Sequence, residues 1–283
     1  MAVPAPHALA DRSRQAAHSA AGHARPWLAR AARLGYAASG LVYLTLGLLT
    51  LQTALGTGRV EDSRGAIATL AEQPAGQLLV LLVGVGMLGY AVWRIVAALT
   101  DAEEKGSEPK GLAARAAHAV SGVLHGVLGV FALRLLGGSA SAGDGGPGWT
   151  ARLMAVPAGR WLVGLVGLAV VGYALQQLWK AVQVKLDRQL DLSRVDAGER
   201  GWIERAARLG IGARGVVLTI VGGLILTAAL RYDASRATGL DAALTTLARA
   251  PMGSVLLALV AVGFMAYAVY QFVRARYRRV ASV

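Results

Sequence analysis

Three stretches decide the fold: RLGYAASGLVYLTLG at residues 33–47, RAAHAVSGVLHGVLG at 115–129 and RLGIGARGVVLTIVG at 208–222. Side by side they keep arginine first, glycine at the eighth place and glycine last. Self-similarity of this kind marks a repeat architecture. Each stretch opens an apolar run that is followed by Leu-x-x-x-Pro-x-Gly: Leu70, Pro74, Gly76; Leu153, Pro157, Gly159; Leu247, Pro251, Gly253. A second apolar run then closes every copy with Gly/Ala-Tyr-Ala, at Tyr90, Tyr173 and Tyr267.

Working outward, six apolar runs cover roughly 34–55, 75–99, 114–136, 158–182, 208–230 and 252–273. Each approaches or exceeds the ~20 residues a helix needs to cross about 30 Å of hydrocarbon. They are continuous, not alternating, which selects helices over barrel strands. The sequence thus predicts an all-α membrane protein of six transmembrane helices in three parallel helical-hairpin repeats. Every repeat crosses twice and starts on the same side, so a pseudo-threefold bundle is expected. The repeats are read as 28–104, 105–190 and 191–283, the last with a basic C-terminal tail. Residues 1–27 are read as a cytosolic tail, mostly disordered, turning Ala/Arg-rich around Trp27 as it nears the headgroups.

Composition agrees with this reading. The 283 residues are 55% hydrophobic and 16% charged, with mean hydropathy +0.50, whereas soluble domains are about a quarter charged. The net charge of +13 comes from basic residues clustered between the apolar runs, not from a face or stripe, so nucleic acid is excluded as a partner. Twenty Lys and Arg fall on the side of the two termini and eight on the other, with Arg214 inside a span. Basic loops stay in the cytoplasm, so both termini are expected there, in a bacterial inner membrane. The basic side should attract anionic lipid headgroups. A protein partner is left open. With no cysteine, disulfides, thiol nucleophiles and cysteine metal sites are excluded.

The repeated residues resemble the bacterial membrane family of domain of unknown function 1206. Its odd helices tend to read Gly-Tyr-x-Ala-Arg-Gly-x-Val-Tyr, and its even ones Pro-x-Gly with a later Tyr-Ala-x-Trp-Arg. Repeat 1 carries this as Gly35, Tyr36, Gly40, Val42, Tyr43, Pro74, Gly76, Tyr90, Trp93 and Arg94, and repeat 3 as Ala213, Arg214, Gly215, Pro251, Gly253 and Tyr267. The family's arginine is Ser39 in repeat 1 and Ser121 in repeat 2, and His118 and His125 replace two tyrosines. The resemblance implies three repeats of paired spans, and no activity.

Ionisable groups inside a membrane are costly and raise a functional hypothesis. Arg214 leads, six residues beyond Arg208, near enough to the surface to snorkel, with Tyr267 and Gln271 as neighbours by depth. The even helices carry Tyr90, Trp93, Arg94; Tyr173, Gln176, Gln177; and Tyr267, Tyr270, Gln271 at i, i+3, i+4, hence on one face each. Those faces form either an interfacial aromatic belt or a polar ring around the axis. His118 and His125 stand two turns apart, too far to share a metal; they read as packing histidines or as a proton relay. The glycines at 40 and 47, 122 and 129, and 215 and 222 share a face on their helices and read as packing contacts: Gly40, Gly47, Gly122, Gly129, Gly215 and Gly222.

No span contains Asp or Glu, which removes carboxylate proton coupling. The Gly-rich residues 137–148 follow a helix and lack a Lys-Ser/Thr ending, so they are a flexible outer loop, not a phosphate loop. AIATLA and LDAALTTLA, before Pro74 and Pro251, have the period of short amphipathic helices. Leu186, Leu190, Leu192 and Trp202 suit a connection lying along the interface. No catalytic motif, cofactor motif or metal-ligand spacing occurs, so no enzyme, cofactor or metal is expected. Two functions are open: a scaffold or membrane-organising protein, or a transporter or channel for small solutes or anions along the axis, using Arg214 and the Tyr/Gln faces.

Overall fold

A computed structural model describes residues 6–101, 106–140, 153–184, 190–191, 195–231, 233 and 239–277, with backbone alone for 6–29 and 110. The described residues are helical: α1 (Pro6–Ala54), α2 (Ser63–Ala71), α3 (Gly76–Thr100), α4 (Pro109–Leu136), α5 (Gly159–Val182), α6 (Ala197–Arg231), α7 (Leu240–Ala248) and α8 (Gly253–Tyr277). Six of them are long and apolar enough to span a membrane: α1 from Arg30 onward, α3, α4, α5, α6 and α8. The amphipathic segments form α2 and α7, and their Ile67, Leu70, Ala243 and Leu244 are buried across one end of the bundle. The N-terminal segment differs from the disordered tail expected: its backbone is helical from Pro6, as its many alanines favour. Residues 141–148 of the Gly-rich loop, Leu186 and Leu192 lie outside the described residues. Leu190 is no interfacial residue but is buried beside Ile203, Ala207 and Tyr267.

The Pro-x-Gly turn has one geometry in all three repeats. Ala75, Ala158 and Met252, the central residues, are left-handed at φ 60°, 61° and 59°. Proline stops the preceding helix. The glycine then lets the new helix start against the old one: a Cβ on Gly76, Gly159 or Gly253 would collide with the carbonyl oxygen of Ala71, Leu153 or Ala248.

Neighbouring helices run in the order α4, α3, α1, α8, α6, α5. The contacts between repeats are α3 with α4, α5 with α6 and α8 with α1, and equivalent glycines sit in all three. Gly40 and Gly47 meet Phe272 and Met265, Gly122 and Gly129 meet Ile95 and Leu88, and Gly215 and Gly222 meet Leu178 and Val171. Small residues let the backbones approach.

The contacts within repeats do not follow one rule. α1 packs on α3 and α6 on α8, but among the described residues α4 and α5 do not pack along their length. Six helices therefore make an arc open between α4 and α5, not a closed set of three like hairpins. Single side chains explain the difference. In repeats 1 and 3 Gly35 and Gly210 lie against Tyr90 and Tyr267, while Gly86 and Gly263 receive Ala38 and Ala213. The matching positions of repeat 2 are Ala117, Ala169 and Val120. The added methyl groups, one each on Ala117 and Ala169 and two on Val120, would crowd the facing helix at the spacing of repeats 1 and 3.

Candidate functional site

Tyr90, Tyr173 and Tyr267 project from the interior of α3, α5 and α8, about 21 Å from the start of each helix and about 15 Å from its C-terminal end at 1.5 Å per residue. Tyr90 and Tyr267 are buried and Tyr173 is half-buried, so these tyrosines line the interior and form no belt. Exposed tryptophans near the helix ends, Trp161, Trp179 and Trp202, occupy belt positions instead.

Arg214 does not snorkel. Its Nη1 donates to Tyr173 Oη at 3.3 Å and Tyr267 Oη at 3.4 Å, and its guanidinium lies 6.0, 5.7 and 5.4 Å from the rings of Tyr43, Tyr173 and Tyr267. Those three tyrosines come one from each repeat, which turns the arginine inward. Its hydrogen bonds are longer than the usual ~2.9–3.0 Å. No carboxylate pairs with it among the described residues; an ion pair there, Arg208 with Glu204 at 4.0 Å, lies outside the cluster.

A second cluster adjoins the first. Arg274 Nη2 donates to Tyr36 Oη at 2.8 Å and Nη1 to Gln271 Oε1 at 3.0 Å, with the guanidinium 4.0 Å from the Tyr36 ring. Gln271 Nε2 in turn donates to Ser39 Oγ at 2.9 Å. So Gln271, expected beside Arg214, belongs to Arg274. Tyr36 stacks edgewise on Tyr90 at 5.1 Å, and Arg94 Nε donates to Tyr90 Oη at 2.7 Å. His125 lies 4.6 Å from the Tyr90 ring, and its Nδ1 is 2.8 Å from the Ser121 carbonyl. A carbonyl only accepts, so Nδ1 carries the hydrogen and Nε2 can accept. His118 is half-buried two turns away, and Gln177 is buried on α5.

The cluster faces inward from both ends of the arc. His125 of α4 lies against the Tyr90 ring, and Tyr173 of α5 against Arg214. Above and below, the bundle is apolar. Val42, Leu46, Val83, Phe264, Val217 and Leu257 fill the end covered by α2 and α7. Leu190, Ile203, Ile211 and Tyr270, with Ala32 and Trp93, fill parts of the end that carries the termini. A cavity of about 350 Å³ lies elsewhere, at Ala155–Trp161, and no member of the cluster lines it. Among the described residues no group of His, Asp and Glu could hold a metal.

The arrangement can hold an anion or clasp three repeats together. The family model for Domain of Unknown Function (DUF1206) matches residues 34–101, 116–183 and 209–278. The chain belongs to this family. DUF1206 stretches thus recur three times, each with two spans. The chain is also 33% identical to "Uncharacterized protein YxxB" of Bacillus subtilis (strain 168) over 254 residues, 90% of this chain and 92% of that one. No solved structure matches it. Neither match names an enzymatic activity.

Sequence reasoning overlooked Arg274, counted as one of the basic charges that set orientation, and Tyr36, Ser39 and Tyr43 as site members. A signal was present: Arg274 stands at i+7 from Tyr267 and i+3 from Gln271, on the same face of α8.

Proposed function

We propose that this membrane protein is an anion binder, with Arg214 as its anchor. The observation that carries the reading is a guanidinium within a span, held by three tyrosines from three repeats through long hydrogen bonds and π faces, with no carboxylate paired to it among the described residues. A buried cation needs a counter-charge. An anion supplied from outside would provide it, and Tyr173 and Tyr267 hydroxyls can turn to donate to that anion. The apolar side chains on either side of the cluster argue against an open channel along the axis. Both termini and the basic loops lie on the cytoplasmic side in this reading, where anionic headgroups gather.

A scaffold reading competes with it, because the same tyrosines join Arg214 to all three repeats as a clasp. Thermal unfolding of the detergent-solubilised protein in rising inorganic phosphate, at constant ionic strength, separates the two. Binding to the folded state alone raises the midpoint with concentration. The anion reading expects that rise in the natural protein and its loss in Arg214→Gln. A midpoint indifferent to phosphate and sulfate in both proteins leaves the clasp. Phosphate flux into proteoliposomes that disappears in Arg214→Ala, with the fold intact, would make the binder a carrier.

A further inference from the structure

The gap between α4 and α5 is where the polar cluster meets the outside. Around the cluster, exposure is graded: Tyr36, Tyr90, Tyr267, Gln271 and Arg274, on the closed side formed by α1, α3 and α8, are at most 8% exposed. Tyr43, Arg94, His125, Tyr173 and Arg214 are half-buried. The two helices that border the gap supply His125 and Tyr173 to this accessible set. They are also the least covered spans, with 22% of their apolar windows buried against 44–50% for α1, α3 and α8. The walls of the gap are apolar. Leu162, Val166 and Ala169 on α5 are exposed and, with Tyr173, recur at the spacing of one helix face, away from the face that Gly164 and Gly167 press on α6. On α4, Leu124 beside His125 is 60% exposed.

Building on the anion reading above, we propose that the anion at Arg214 is the headgroup of a bilayer lipid, which reaches the cluster sideways through the gap. From the side of α2 and α7 a free ion would have to pass Val42, Leu46, Val83, Phe264 and Leu257. An amphiphile meets instead a wall that matches its chain and, at its inner edge, a guanidinium with no carboxylate paired to it among the described residues, Tyr173 Oη, and the His125 ring. The charge requires an acidic headgroup, and the apolar walls require an attached acyl chain. Arg214 serves here as a charge and as a donor of up to five N–H groups, of which the two long tyrosine contacts occupy one nitrogen.

The experiment is native mass spectrometry of the full chain in mild detergent, with phosphatidylglycerol or phosphatidylcholine of equal chain length added, alongside the phosphate titration. One phosphatidylglycerol per chain is expected to survive activation that strips phosphatidylcholine, a preference of about tenfold or more. Arg214→Gln should abolish the preference, and Arg214→Lys should keep part of it. Ala169→Trp, which fills the gap without touching Arg214, should lower lipid retention about tenfold and leave the phosphate response unchanged. Equal retention of the two lipids, or full retention in Ala169→Trp, overturns the proposal. Arg214-dependent phosphate binding without lipid retention overturns it while leaving the anion reading standing, and absence of both responses in the natural protein overturns the two together. A dimer that Ala169→Trp dissociates would give the gap to a second copy and overturn it as well.

Discussion

Repeats 1 and 3 close their hairpins and repeat 2 does not, although all three share the same Pro-x-Gly turn and the same glycines toward the next repeat. The difference lies in three side chains. Where repeats 1 and 3 place glycine against tyrosine and glycine against alanine, repeat 2 has Ala117 and, at the second contact, Ala169 and Val120. Helices in a membrane have little hydrophobic reason to associate, so packing distance decides which pairs form. A repeated sequence can thus build one open interface among closed ones by adding a few methyl groups. The polar cluster shows the same asymmetry: Arg274 is buried and bonded at ordinary distances on the closed side, while Arg214 is half-buried and loosely held toward the open side.

The largest effect is expected from copying repeat 2 into a closed repeat. Gly210→Ala places a methyl group against the Tyr267 backbone and should cost about 2–3 kcal/mol, the upper part of the ~1–3 kcal/mol overpacking range, whereas Ala117→Gly should cost no more than about 1 kcal/mol, the helix penalty of glycine. Reversible unfolding in mixed micelles measures both, and equal losses would break the comparison. Next comes the pair of arginines. Arg274→Met takes a charged donor away from buried Tyr36 and Gln271 and should destabilise by about 1–3 kcal/mol; Arg214→Met should cost clearly less in the same assay. A larger loss at Arg214 would make it the structural clasp.

A smaller change in stability, but a visible one in geometry, is expected when repeat 2 is given the side chains of repeats 1 and 3. The triple variant Ala117→Gly, Val120→Ala, Ala169→Gly should bring α4 and α5 together, read as a shortened distance between spin labels at Val127 and Leu165. An unchanged distance would show that these methyl groups do not hold the gap. The smallest effect concerns what the repeats share: Ala75→Gly, Ala158→Gly and Met252→Gly relieve a left-handed residue and should each move stability by less than about 1 kcal/mol, and by similar amounts. Unequal shifts would mean that the turns, too, differ between repeats.

Much of this was legible in the chain. The recurrence of Arg-x6-Gly-x6-Gly and of Pro-x-Gly, with apolar runs of spanning length, determined three tandem units, six membrane helices and two short amphipathic caps. Its place inside an apolar run singled out Arg214, and helical spacing put Tyr267 and Gln271 on one face. These features depend on properties of one segment at a time: hydropathy, length, and the angle between residues along a helix. Other features depend on two helices at once, and only the tertiary structure decided them. Tyr43, Tyr173 and Tyr267 converge on Arg214 from separate repeats. Gln271 turns to Arg274 and Ser39, an arginine assigned to the surface is buried, and α4 stands away from α5. Whether two helices touch is set by a methyl group on each at matched depth, and that pairing becomes visible only once the partner of every face is known.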